Sequence, residues 1–350
     1  MVNSLFVLAL AAGFTLMLAW SFKMLPGERW QIIASVPVAK DGSDSWRGIN
    51  LTYYGLLTAN AYGTAIAVLF VLLGAVSVPL WSIFVVVASV LMLCVPASKL
   101  IARVVEKKSY TFTVGGASFV GILLAPWVIA FIPRASAGTA DIHIPMMPAL
   151  AALSISYAIG EGIGRLACIS FGCCYGKPLS QTHPILRRIF ENHSFVFSGK
   201  TKKIAYASGL DGEKVIPVQA ITSVLYIAAG LVGIHLFLDA HFLAAFILTV
   251  VITQGWRTFS ELLRADYRGE GRMSAYQIMG LIAVAYSLAL PFLFPPDTID
   301  LPDLMAGLGC IWNPASLVFL YALWLATFIY TGRSMVTGST LSFHVHANRI

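Results

Sequence analysis

Nine apolar runs of about 20 residues dominate the 350-residue sequence, near 4–21, 52–75, 79–98, 112–133, 148–170, 217–238, 242–262, 276–294 and 317–331. A helix of about that length crosses the roughly 30 Å of hydrocarbon in a bilayer. Lipid offers backbone groups no hydrogen-bond partners, so only helices or closed barrels span it, and unbroken rather than alternating runs point to helices. The sequence predicts an all-α polytopic membrane bundle. Composition agrees, with 58% hydrophobic and 11% charged residues, where a soluble domain carries about 25% charged. Those figures exclude a water-soluble globular protein, a disordered chain and a basic nucleic-acid binder. The formal charge of +7 then points to anionic lipid.

The first run lacks a basic start and a clean small-residue cleavage site, so it reads as a retained helix. A polar insertion at 177–214 holds Arg187, Arg188, Lys200, Lys202 and Lys203. Its basic run Lys200–Lys203 reads as a solvated or lipid-facing loop, and its hydrophobic stretch Ser194–Phe197 as a segment that packs on the membrane. A shorter basic segment, Arg264–Arg272, follows the seventh run. The organisation expected is a helix and linker over 1–50, a seven-helix core over 51–295, and a further helix and tail over 296–350. All of the 23 Lys and Arg except Arg134, Arg165 and Arg257 fall on one side of this arrangement, in 22–50, 99–111, 171–216, 263–274 and 332–350. Positive-inside reasoning puts that side in the cytoplasm.

Charge inside a span is expensive and marks a functional site by default. Glu161 with Arg165, and Arg257 with Glu261, lie inside apolar runs at i,i+4 spacing, where each pair can meet on one helix face. The plain alternative is two self-neutralising structural ion pairs. All four residues lie near the same ends of their spans, which favours a shared polar cavity there. The first pair leads into GIGRLACISFGCCYGKP, Gly162–Pro178. Its glycines allow close backbone approach. The Gly172–Gly176 stretch can form a tight loop with free N–H groups for an anionic headgroup. Arg165 supplies the donor fork that phosphate prefers.

This segment resembles the signature of the prolipoprotein diacylglyceryl transferase family, matching it at Gly164, Arg165, Gly172, Tyr175, Gly176, Lys177 and Pro178. Further segments follow in the family's order. Tyr54-Gly55 resembles the Tyr-Gly of the first core helix, and Pro217 and Gln219 resemble the opening of the helix after the large loop. Arg257, Glu261 and Arg264 keep an Arg-x-x-x-Glu-x-x-Arg spacing, with Gln277 beginning the next helix. The resemblance covers about 50–295. Four departures stand out. Val114 replaces the histidine of a His-Gly-Gly element whose Gly115 and Gly116 remain, Cys168 replaces an asparagine, Cys173 an acidic residue, and Thr222 a glutamate.

The resemblance implies a transferase of the bacterial inner membrane that moves the diacylglyceryl group of phosphatidylglycerol to a protein cysteine thiol, with loss of glycerol phosphate. The family's catalytic cavity faces the extracytoplasmic side, opposite to the side the charge count favours. The chemistry needs cations on the leaving phosphate and something to favour the thiolate, but no metal or cofactor. By resemblance, Arg165 and Arg257 hold the phosphate and Glu261 orients Arg257. Tyr54, Gly115, Gly116, Gly172, Tyr175, Gly176, Gln219 and Gln277 line or shape the headgroup pocket, and Arg264 sits at its mouth. With the histidine gone, the base is either Glu161 or nothing beyond the arginine charge itself; Glu161 also reads as a simple partner of Arg165. Cys168, Cys173 and Cys174 could form a thiolate site, but without other ligands they read as packing and loop geometry. The histidines, scattered near loops and span ends, read as interfacial or solvated rather than catalytic. Two further readings are a relative that takes the same anionic phospholipid with a different, cytoplasmic acceptor, and a non-catalytic lipid-binding membrane protein.

Overall fold

The computed structural model describes residues 2–105, 107, 113–135, 144–266, 273–295 and 299–350, with the backbone alone at 133–135. His143 and most of the basic segment Arg264–Arg272 lie outside these residues. Among the described residues, nine helices are long and apolar enough to cross a membrane. The protein is a multi-pass, all-α membrane bundle with a small sheet.

Helix α1 (Val2–Met24) leads through a 3-10 turn into strands β1 (Ile32–Lys40) and β2 (Trp46–Thr52). Helix α2 (Tyr53–Ala75) starts where the Thr52 hydroxyl accepts from the Gly55 amide at 3.4 Å. Next come α3 (Leu80–Val105), α4 (Val114–Ala135) and α5 (Met146–Phe171). The polar insertion folds as α6 (Pro184–Phe190), β3 (Phe195–Val196), α7 (Lys203–Ser208) and β4 (Lys214–Val215). Spans α8 (Val218–Leu238), α9 (Phe242–Ser260) and α10 (Ala275–Leu293) complete the core. A short α11 (Leu304–Trp312) precedes α12 (Pro314–Gly332) and β5 (Arg333–Leu341). Asn313 caps α12 by accepting from the Ala315 amide at 2.9 Å, and Pro314 takes the first helical position, where its missing N–H is harmless. The last span is therefore longer than its apolar run.

Helix α5 runs through the middle, packed on α2, α8 and α9, and 78% of its most apolar window is buried. Small residues allow this approach. A Cβ at Gly162 would lie 3.2 Å from the Ser223 carbonyl of α8, and the Ser223 hydroxyl donates to the Gly162 carbonyl at 2.6 Å. Around the first half of α5, an apolar cluster gathers Leu150, Ile155, Phe237, Phe242 and Phe246. A second cluster surrounds its other end, with Ile163, Leu166, Tyr175, Phe195 and Phe197.

Two features depart from expectation. The linker and tail meet in one antiparallel sheet, ordered β1-β2-β5, so the N- and C-terminal segments join beside the start of α2. There the Thr52 hydroxyl donates to the Gly332 carbonyl at 3.0 Å. The polar insertion also packs inward rather than onto the membrane. Phe197 is fully buried, Phe195 packs on Phe22 of α1 with ring centroids 6.1 Å apart, and Lys202 is buried rather than solvated. Its ammonium donates to the carbonyls of Leu25 at 3.1 Å and Ser170 at 2.6 Å, closing the ends of α1 and α5 over the loop. Burial pushes the Lys202 ammonium down to about 8, against an opposing pull from Glu28.

Candidate functional site

Residues 157, 161 and 165 fall one helical turn apart on α5, so Tyr157, Glu161 and Arg165 form one stripe. Glu161 Oε1 pairs with the Arg165 guanidinium. From α9, Arg257 Nη2 reaches the same Oε1 at 3.1 Å and the Tyr157 hydroxyl at 3.0 Å. One carboxylate thus bridges two helices by holding both cations. The expected Arg257–Glu261 pair does not form. Helix α9 ends at Ser260 and residues 261–263 tighten into a 3-10 turn, so the i,i+4 spacing no longer stacks the two side chains. Glu261 instead meets Arg264 at 3.7 Å and accepts from the Ser274 hydroxyl at 3.2 Å. Arg264 grips both oxygens of Asp266 at 2.8 Å.

These groups surround a small cavity of about 10 Å³, lined by Arg165, Arg257, Arg264, Glu261, Gln219, Cys174, Tyr226 and their neighbours. The Nε atoms of Arg165 and Arg257 and the Gln219 Oε1 are buried without a hydrogen-bond partner among the described residues. Leaving such atoms unsatisfied costs about 1–3 kcal/mol each, and a ligand with both acceptors and donors would relieve it. Gln219 is itself anchored, donating Nε2 to the Cys173 carbonyl at 2.8 Å.

The glycines act on this cavity from outside its lining. A Cβ at Gly115 would fall 2.7 Å from Arg257 Nη1, so the bare backbone of α4 is what lets the guanidinium lie there. Gly172 ends α5 in the left-handed conformation, φ 72°, and Gly176 lies hard against the Ile216 carbonyl. Gly116 faces Ile101 of α3. The loop does not offer the open row of amides expected for a headgroup. The Gly172 and Cys173 amides donate to the Cys168 carbonyl, and the Lys177 amide donates to Leu263. The cations that face the cavity are the side chains of Arg165, Arg257 and Arg264.

Three other expected pocket residues do structural work. Gln277 closes a capping box with Ser274 at the start of α10. Tyr175 is buried and bonds Ser208. Tyr54 packs on Phe171 with centroids 5.6 Å apart, outside the cavity lining. Thr222, in place of the expected glutamate, accepts from the Trp256 indole at 2.8 Å. The sequence reading missed Tyr157 and Tyr226. The first shares the 157–161–165 spacing and was legible; the second reaches the site only through the packing of α8 on α9.

Fold and site together define a multi-pass membrane protein with a buried Arg–Glu cluster at one end of the bundle. Comparison with models of known protein families gives no match, and comparison with curated proteins gives none either.

Proposed function

We propose that this protein is a membrane transferase that moves the diacylglyceryl group of phosphatidylglycerol to a protein cysteine thiol, releasing glycerol phosphate. The observation that carries the reading is the pair of guanidiniums from α5 and α9 converging on Glu161, each with a buried, unpartnered Nε. Such a fork suits a phosphate whose charge grows as the carbon–oxygen bond breaks. The resemblance of the Gly162–Pro178 and Gly255–Ala283 segments to the prolipoprotein diacylglyceryl transferase family supports the same chemistry, in a bacterial inner membrane. Arg165 and Arg257 hold the phosphate, Glu161 aligns them, and Gln219 offers its open carbonyl to a glycerol hydroxyl.

The test is release of glycerol phosphate from phosphatidylglycerol vesicles by the reconstituted protein with a cysteine-bearing peptide. Release that requires both lipid and thiol supports the reading. A second reading, a lipid-binding protein without turnover, draws on Glu161 Oε1 being held by both arginines and on Val114 standing where a histidine would serve as base. It predicts bound lipid and no release. The acceptor's side follows from labelling a Ser198→Cys reporter on the exposed loop, in a background lacking reactive native thiols, with an impermeant reagent on intact cells. Labelling indicates an exported acceptor, and protection until lysis indicates a cytoplasmic one.

A further inference from the structure

Beside the arginine cavity lies a cluster of three cysteines separate from the Arg165–Glu161–Arg257 contacts. The sulfur atoms of Cys168, Cys173 and Cys174 all lie within 4.8 Å of one another. The local fold builds this convergence. Cys168 occupies the last turn of α5, and the left-handed Gly172 turns the chain back so that the Cys173 amide donates to the Cys168 carbonyl at 3.0 Å. Cys174 then takes a second left-handed conformation, φ 57°, which is uncommon for a residue with a side chain. Gln219 fixes the loop from α8 through the Cys173 carbonyl.

We propose that Cys168, Cys173 and Cys174 form a binding site for a thiophilic d10 cation, Zn2+. Zinc–thiolate bonds are about 2.3 Å long, so the three sulfurs need to draw in by roughly 1 Å from their widest separation, within reach of small side-chain rotations. Three thiolates on a divalent ion leave one negative charge, and Arg165, Arg264 and Lys203 are the neighbouring cations that interact with this cluster. Cys174 also lines the arginine cavity, so a fourth ligand can come from there. An incoming substrate thiol would bind there as thiolate; that consequence, unlike the site itself, rests on the transferase reading.

The experiment loads the full-length protein in detergent with Zn2+, removes free metal and counts zinc per chain. One zinc per chain is expected, with retention lowered tenfold or more in Cys168→Ser and Cys173→Ser and unchanged in Cys94→Ser. Thiol alkylation of the wild type, read peptide by peptide, guards against misfolded variants. Zinc should slow alkylation of the three clustered cysteines and leave Cys94 unaffected. Zinc retention equal in the wild type and the variants, or alkylation of the trio indifferent to zinc, overturns the proposal.

Discussion

Along α5, Leu150 and Ile155 pack in an apolar cluster with Phe237, Phe242 and Phe246, whereas two turns further on Glu161 lies between Arg165 and Arg257. The same helix thus meets two environments. The first end follows the ordinary logic of a membrane bundle, close packing of side chains with little charge. The second keeps Arg165, Arg257, Arg264, Glu161, Glu261 and Asp266 together at one end of the bundle, three cations against three anions. Buried charges are retained against a desolvation cost of several kcal/mol per ion. The apolar end is what holds the bundle together, and the charged end is what it holds in place.

Substitutions at the two ends should separate stability from activity. The largest effect is expected at the arginines. Arg165→Ala or Arg257→Ala should reduce glycerol phosphate release to background. It should also lower stability by about 3–5 kcal/mol, because Glu161 loses half of its compensation. Full transfer activity in both variants would contradict the assignment. At the apolar end the pattern reverses. Phe237 is fully buried and meets Phe242 edge-on with centroids 4.9 Å apart. Phe237→Ala should cost about 3–5 kcal/mol in denaturation, while the surviving folded protein turns over normally.

Gly115→Ala sharpens the comparison, because it touches the site through packing alone. The new methyl group would crowd Arg257 Nη1 and Tyr276. Displacing a positioning cation by a fraction of an ångström should lower transfer by about tenfold or more, with a smaller loss of stability. The smallest effect concerns Lys202, whose ammonium burial pushes down to about 8 from an ordinary 10.5. Between those values the unfolded chain carries more protons than the folded one, so stability rises with pH across that window. Lys202→Met should abolish that rise in a series of thermal melts from pH 7.5 to 10.5, and an unchanged slope would refute the burial argument.

The nine spans were legible because lipid demands long apolar runs, and the Glu161–Arg165 pair because i,i+4 spacing on a continuous helix leaves it little choice. The rest depended on contacts between distant segments. Strand β5 pairs with β2 from nearly the full length of the chain away, so its residues read as a tail. Arg257 takes its partner from another helix, and no spacing within α9 announces that the helix stops at Ser260. Lys202 sits in a basic run that looks solvated, and only the meeting of α1, α5 and the loop buries it. Of the expected pocket residues, Arg165, Arg257, Arg264, Glu261 and Gln219 line the cavity. Gln277 and Tyr175, marked by the same motifs, serve the framework instead.

The most direct test of the central claim is lipid selectivity of the purified protein, measured by native mass spectrometry in mixed phosphatidylglycerol and phosphatidylcholine micelles. The two-arginine cavity predicts that the wild type retains phosphatidylglycerol in preference to phosphatidylcholine, and that Arg165→Ala and Arg257→Ala each lose the preference. Equal retention of both lipids by the wild type, or an undiminished preference in both variants, would contradict it.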